Sequence, residues 1–184
     1  MLELVEQQLK PSGYTLPELQ EEGKTDDPFA FLTDIPHLAE VRSQNTHFYL
    51  RERATHVFTQ ARRTYEFKAT CEVKQMRWES RVTKLGDLMN VSQEGYDTLY
   101  DCSSENLNNL TKLARESGAL GAHLVGAGWG GHYICLVKTD QVPDFLEKMM
   151  VFYKKEKPEN TDRYIFSTSF GSGACVIDPR SWYE

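Results

Sequence analysis

The sequence predicts an α+β domain in which an antiparallel sheet of about four strands is backed by helices. From residue 46 to about residue 118, apolar residues recur every three or four positions, which is the spacing of amphipathic helices. Beyond that point the pattern changes to short strand-forming runs, in the order strand, strand, helix, strand, strand. Hairpin-like connections in that order imply antiparallel pairing with the helices packed against the sheet. With 184 residues, of which 40% are hydrophobic, the chain can form the core of one ordinary domain.

The amino-terminal residues 1–45 are expected to form a segment of brief helices and turns. Pro17, Pro28 and Pro36 divide this segment into short pieces. Such pieces hold little core by themselves, so the α+β domain is predicted to comprise residues 46–184.

Three helices are predicted between residues 46 and 118. The first extends to about residue 74, and the second is centred on residues 82–89. The third follows Ser103 or Ser104, either of which can cap it, and Gly118 is a natural end. The first helix carries an apolar stripe that should face the core, made of Leu50, Ala54, Val57, Phe58, Ala61 and Tyr65. The arginines beside that stripe are expected on the solvated face, namely Arg51, Arg53, Arg62 and Arg63.

The strands of the predicted sheet lie in the second half of the chain. Runs at residues 123–125 and 132–137 flank a glycine-rich loop. A helix follows from residue 142 to about residue 153, and two closing strands are predicted at residues 164–166 and 174–177.

Composition excludes several classes of function. The net charge of −6 argues against nucleic acid or an anionic membrane as the main partner, and no stretch approaches the ~20 apolar residues of a membrane span. The first residues lack the pattern of a secretory signal. The four cysteines form no C-x-x-C motif, which disfavours a metal or redox centre and is compatible with reduced thiols in the cytoplasm.

The glycine-rich loop at residues 126–131 (GAGWGG) is the most informative segment. It satisfies G-x-G-x-x-G, but a dinucleotide site needs a helix directly after the glycines, and here a strand follows. A Walker loop is excluded because these glycines are not followed by Lys-Ser/Thr. Two alternatives remain: a tight hairpin docked on a neighbouring element, or a loop that approaches a phosphate or sugar. Four glycines are more than a hairpin needs, which slightly favours the loop that approaches a ligand. Trp129 is expected to be a hydrophobic plug rather than a surface for another domain.

Five segments in the same order resemble conserved motifs of the GHMP kinases, in their galactokinase form. Residues 121–131 (GAHLVGAGWGG) resemble the third motif of that family. The other segments are residues 53–63, with RATHV and ARR; 85–92 (LGDLMNVS); 100–110, beginning YDCS; and the closing strands, with FST and Gly173-Ala174. The LMN and YDCS details resemble the N-acetylgalactosamine kinase branch.

The chain departs from the family pattern at several positions. His123 replaces a basic residue, Val125 a threonine and His132 a cysteine; Gln60 stands at a glutamate position and Phe170 at a proline. Val125 removes a hydroxyl beside the loop. His132 is interpreted as a residue at the start of a strand in preference to a new acid–base group.

The resemblance implies the carboxy-terminal domain of an ATP-dependent sugar-1-kinase, which transfers phosphate from ATP to the C1 hydroxyl of galactose or N-acetylgalactosamine. In such kinases ATP and Mg are bound mainly by an amino-terminal lobe, whose serine-rich loop and Gly-Glu-His block are not found here. No catalytic residue and no metal ligand is therefore assigned, and activity of this chain alone is not expected. The resemblance places the wall of the substrate and phosphate cleft at Gly126, Ala127, Gly128, Trp129, Gly130 and Gly131.

Two other interpretations stay open. The chain could be a non-catalytic sugar sensor or protein-interaction module that retains this fold, or an unrelated ferredoxin-like regulatory domain, which the ordered motifs disfavour. If an amino-terminal lobe packs on this domain, Trp129, Phe170 and the helix carrying Tyr65 are the candidate surface.

Overall fold

The protein is described by a computed structural model over residues 1–30, 43–126, 128–156 and 164–168. The chain divides into two compact units, Met1–Val137 and Lys138–Glu184. The helices of the first unit are α1 (Leu2–Gln8), α2 (Leu16–Gly23), α3 (Leu50–Glu72), α4 (Trp78–Thr98) and α5 (Glu105–Glu116). Its strands are β1 (Gly121–Val125) and β2 (His132–Leu136). The second unit contains a 3₁₀ turn (Thr139–Gln141) and α6 (Val142–Glu156).

Within residues 1–30, the amino-terminal segment forms the brief helices and turns that the prolines predict. The Glu18 carboxylate accepts the Thr15 backbone N–H at 2.8 Å and so stabilises the start of α2. An isolated bridge between Tyr14 and Phe48 ties this segment to the residues before α3, and α1 packs on α3. The boundary expected near residue 45 stays a prediction.

The orientation predicted for α3 is wrong. Val57 and Tyr65 belong to the predicted core stripe, yet they are 50% and 76% exposed. The buried side chains of α3 are instead His56 and Thr70. The reason is that α3 packs on α4 with its polar side, where the side chains bond to one another and to α4.

The arginines of α3 also differ from the prediction. Arg62 is exposed as expected, but Arg53 donates to the Leu99 carbonyl, and Arg63 donates to Gln60 at 3.2 and 3.0 Å. The helix therefore uses two of its four arginines for internal contacts and not for solvation.

A close contact between α4 and β1 forms the centre of the first unit. A Cβ on Gly86 would lie 2.4 Å from the Leu120 carbonyl oxygen, and one on Gly121 would lie 2.4 Å from the Gly86 oxygen. One turn further along α4, the Asn90 side chain donates to the Leu120 carbonyl and accepts the Ala122 amide, both at 3.1 Å. The LGDLMNVS segment thus packs a helix backbone directly on a strand backbone.

The third predicted helix is confirmed as α5. Ser104 is its N-cap and accepts the Leu107 amide at 3.3 Å. Leu107 packs with Cys102 and Leu124 in a buried cluster that joins the start of α5 to β1.

The sheet of the described residues has two strands and not the predicted four. β1 and β2 pair antiparallel, from Gly121 opposite Leu136 to Val125 opposite His132. Residues 164–168 are not in strand conformation, and no described strand pairs with them. The Tyr164 ring instead stacks on that of Tyr153 of α6, with the ring centroids 6.1 Å apart. The fourth predicted strand, at residues 174–177, lies outside the described residues. The α+β class holds, in a helix-rich form.

The helix predicted from residue 142 is confirmed in the second unit and continues to Glu156. Phe145 and Met149, one turn apart, are its buried residues. Its first turn contains Asp144 and its last turn contains Lys154 and Lys155, charges that complement the helix dipole.

Candidate functional site

The glycine-rich loop is the tight connection between β1 and β2. Gly126 and Gly131 adopt φ values of 84° and 95°, which side chains rarely tolerate, and Trp129 adopts 60°. A strand and not a helix follows, as predicted, so the loop lacks the helix N-terminus of a dinucleotide site. Of the six predicted cleft residues, Ala127 lies outside the described part of the chain.

The loop is docked on the turn between α4 and α5. A Cβ on Gly128 would lie 2.5 Å from the Cys102 carbonyl oxygen, so no other residue fits without a shift. The Trp129 amide donates to that same carbonyl at 2.6 Å, and its indole N–H donates to the Asp101 carbonyl at 3.0 Å. The docked-hairpin alternative therefore accounts for Gly128.

The prediction that Trp129 is a hydrophobic plug is wrong. Its side chain is 74% exposed, because the indole N–H binds the turn while most of the ring stays in solvent. Gly126 and Gly130 have open surroundings: a Cβ on either would meet no described atom within 4 Å. Close packing thus explains why residue 128 is glycine, whereas Gly126 and Gly130 leave open space beside the backbone.

A buried amide network holds β1 beneath the loop. The Leu124 amide donates to Gln93 Oε1 at 2.8 Å. Gln93 Nε2 in turn donates to Ser103 Oγ and to Asn108 Oδ1, both at 2.9 Å. Sequence reasoning missed Gln93 and Asn108. The available signal for Gln93 was an amide residue between Met89 and Tyr96 on one face of α4.

A polar and aromatic cluster lies between α3 and α4. The His56 ring is 4% exposed and lies between Tyr96 and Tyr100, with ring centroids at 4.9 Å from each. Burial lowers the pKa of His56 below its ordinary value, and the charge of Arg63 lowers it further. Gln60, at the position where the family has glutamate, binds both Arg63 and the Tyr96 hydroxyl.

His123 and His132 lie on the two paired strands, His123 opposite Ile134 and His132 opposite Val125. His123 lies on β1 with its Nδ1 2.6 Å from the Leu124 carbonyl oxygen, and burial lowers its pKa. It lines an open cavity of about 370 Å³ together with Arg63 and Lys68. His132 is exposed at the first position of β2, as predicted, and Val125 beside it is 44% exposed.

Neither a metal centre nor a membrane span is found in the part of the chain that the structure describes. No three His, Cys, Asp or Glu side chains there are grouped so that they could hold an ion. Over the same residues, none of the helices combines the length and apolar character needed to cross a bilayer.

Comparison with known proteins identifies the class of this domain. Residues 71–154 match the family described as "GHMP kinases C terminal". This range contains α4, α5, the glycine loop and most of α6. These residues are therefore a GHMP kinase C-terminal domain.

Within that class the chain is galactokinase-like, as its motifs predicted. It is 37% identical over 154 residues to galactokinase of Dictyostelium discoideum, covering 73% of this chain and 31% of that protein. It is 31% identical over 179 residues to galactokinase of Candida parapsilosis, covering 91% of this chain and 33% of that one. The chain spans about a third of the length of these relatives. A crystal structure of Lactococcus lactis galactokinase complexed with galactose is similar at a TM-score of 0.49 and 24% identity, covering 84% of this chain and 34% of that one.

Proposed function

We propose that this chain is the carboxy-terminal domain of an ATP-dependent sugar-1-kinase that phosphorylates the C1 hydroxyl of galactose or N-acetylgalactosamine. The observation that carries the proposal is the glycine loop of a galactokinase-like domain, which leaves open space at Gly126 and Gly130. Small residues there allow a phosphate or sugar to approach the backbone closely. Residues 46–184 would form the kinase domain, and the protein would act in the cytoplasm.

The proposed role of the loop is to form one wall of the substrate and phosphate cleft. Gly126, Ala127, Gly130 and Gly131 would contribute backbone and small volume, while Gly128 and Trp129 anchor the wall on the turn between α4 and α5. Phosphoryl transfer depends on positioning and on neutralising charge, so a rigid wall contributes by excluding water and orienting the ligand.

ATP and Mg belong to the whole kinase in this proposal. Among the described residues, no three His, Cys, Asp or Glu side chains are grouped so that they could hold an ion, and the proposal assigns ATP and Mg mainly to the amino-terminal lobe. We assign no catalytic residue here, because the serine-rich loop and the Gly-Glu-His block of such kinases are not found in this sequence, and we expect the chain alone to be inactive.

A non-catalytic interaction module is the second candidate. Its supporting observation is the exposure of three large apolar side chains, Val57, Tyr65 and Trp129, at 50%, 76% and 74%. Such a module would bind sugar or a protein without transferring phosphate.

The test uses a chimera in which this chain replaces the matching third of the Dictyostelium discoideum galactokinase. With ATP, Mg and galactose or N-acetylgalactosamine, we expect the chimera to form sugar 1-phosphate, read by mass spectrometry, and the chain alone to form none. Gly130→Ala should lower the rate of the chimera without changing its urea midpoint, because the added methyl enters open space. Arg62→Gln, at an exposed position of α3, is the matched control.

The outcomes separate the two candidates. A folded chimera that forms no product would refute the kinase proposal, and sugar binding by the chain in calorimetry would then favour the sensor. Product formed by the chain alone would show that a catalytic set was overlooked.

A further inference from the structure

The arginine of the RATHV segment connects α3 to the turn that carries the glycine loop. Arg53 Nη1 donates to the Leu99 carbonyl at 2.5 Å, and Nη2 donates to the Asp101 carboxylate at 3.2 Å. One planar guanidinium thus binds both the carbonyl at the end of α4 and a side chain two residues later. Its fork of donors suits this double contact, which a lysine ammonium cannot reproduce.

Asp101 is the centre of this connection. Its φ of 58° is a left-handed conformation that few residues other than glycine adopt, and aspartate is one that tolerates it. While its carboxylate binds Arg53, its own backbone carbonyl accepts the indole N–H of Trp129. The next carbonyl along the chain, that of Cys102, accepts the Trp129 amide.

We infer that Arg53 is a positioning residue, which sets the place of the glycine loop by holding Asp101 in its left-handed conformation. The path is short: α3 holds Asp101 through Arg53, and Asp101 and Cys102 hold Trp129 in the middle of the loop. A shift of Cys102 should also move Gly128, because the two backbones are in contact with no side chain of Gly128 between them. The consequence for a ligand cleft rests on the proposed function, whereas the connection itself does not.

Electrostatic attraction alone does not explain the arrangement. The Asp101 carboxylate is 77% exposed and the Arg53 side chain 34%, and a pair so accessible to water contributes little to global stability. What the pair does is select one geometry for the turn. Loss of the Arg53–Asp101 pair should therefore change the surroundings of Trp129 more than it changes the midpoint of unfolding.

The experiment uses the full 184-residue chain with ¹⁵N-labelled tryptophan. Trp129→Phe assigns the indole signal among the three tryptophans. In Arg53→Gln we expect the Trp129 indole resonance to move toward that of an unbonded indole. The Trp129 backbone amide should exchange about tenfold faster, the size of one lost charge-assisted hydrogen bond. Arg62→Gln, on the exposed side of the same helix, should leave both readings unchanged.

Arg53→Lys provides the second variant. It retains the charge and the aliphatic stem, so it should fold even if Arg53→Gln does not, as judged by circular dichroism. Because one ammonium cannot replace both contacts, its indole shift and exchange rate should lie between those of the native chain and Arg53→Gln.

Native-like readings at Trp129 in Arg53→Gln, or in Arg53→Lys if only that variant folds, would overturn the inference. Equal effects of Arg62→Gln would do the same, since the response would then follow loss of any positive charge on α3. These readings need no catalysis. An inactive chimera would count against the proposed kinase function and leave the role of Arg53 to be decided by Trp129.

Discussion

Replacing Gly86 with alanine should destabilise the chain, although alanine is the better helix former by about 1 kcal/mol. The new Cβ would lie 2.4 Å from the Leu120 carbonyl oxygen, whereas ordinary contacts begin at 3.4 Å. Since that neighbour is backbone and cannot rotate away, α4 must retreat from β1 by about 1 Å. A retreat of that size also lengthens the Asn90 contact with the same carbonyl from 3.1 Å to about 4 Å, beyond hydrogen-bond range.

The magnitude follows from these two effects. Overpacking at a tight contact costs about 1–3 kcal/mol, and the loss of the two Asn90 hydrogen bonds costs roughly 0.5–1.5 kcal/mol each. Against the ~1 kcal/mol gained in helix propensity, the net loss in the free energy of unfolding should be about 3 kcal/mol. Urea denaturation followed by circular dichroism measures this loss. The dependence of the unfolding free energy on urea concentration should be the same in the variant and the native chain.

Gly95→Ala is the matched control, because it lies in the same helix and gains the same propensity. Its Cβ would lie nearest to two side chains and not to backbone, with His56 Nδ1 at 3.0 Å and Arg63 Nη2 at 3.2 Å, so each contact is wider than the 2.4 Å at Gly86. We expect less than half the loss seen for Gly86→Ala. If Gly86→Ala unfolds at the same urea concentration as the native chain or a higher one, the contact between α4 and β1 is not as close as described.

Three further predictions concern ionisation. Burial lowers the pKa of His56, so below about pH 6.5 the unfolded chain binds a proton that the folded chain excludes. The urea concentration at the unfolding midpoint should therefore decrease when the pH is lowered from about 7 to about 5. In His56→Phe this decrease should be smaller. Burial raises the pKa of the Cys135 thiol to about 12, so maleimide should label the exposed Cys71 and spare Cys135 in the folded chain, and equal labelling in peptide mass spectra would contradict this. Lys10 lowers the pKa of Glu18 to about 2, so this carboxylate stabilises the fold above its ordinary pKa of 4.5 and ceases to do so as pH falls toward 2. Glu18→Gln should therefore weaken the chain at pH 6 but not at pH 2, and an equal effect at both values would refute the assignment.

Local chemistry determined much of what the sequence predicted correctly. The helical periods of α3, α4, α5 and α6, the Ser104 cap and the hairpin without a following helix all depend on residues close together in the chain. The ordered motifs likewise sufficed to predict the galactokinase-like class, which the comparisons confirm. The roles of the cleft residues stay predictions.

The tertiary structure decided which faces are buried. Amphipathic pattern assigned Val57 and Tyr65 to the core, but α3 buries a polar side. Gln60 and Arg63 form hydrogen bonds there, and the His56 ring packs against two tyrosine rings of the α4 end. The spacing of apolar residues shows where a helix forms, but it does not show which side of that helix packs on the rest of the domain.

The same holds for the contacts around the glycine loop. Trp129 is exposed and Arg53 is drawn onto the turn between α4 and α5, because distant backbone carbonyls accept the hydrogen bonds that these side chains donate. The sequence by itself determined the helices, the β1–β2 hairpin and the family of this domain. Only the tertiary structure decided which polar groups meet, since hydrogen-bond partners separated by 28 to 48 positions depend on how the elements pack.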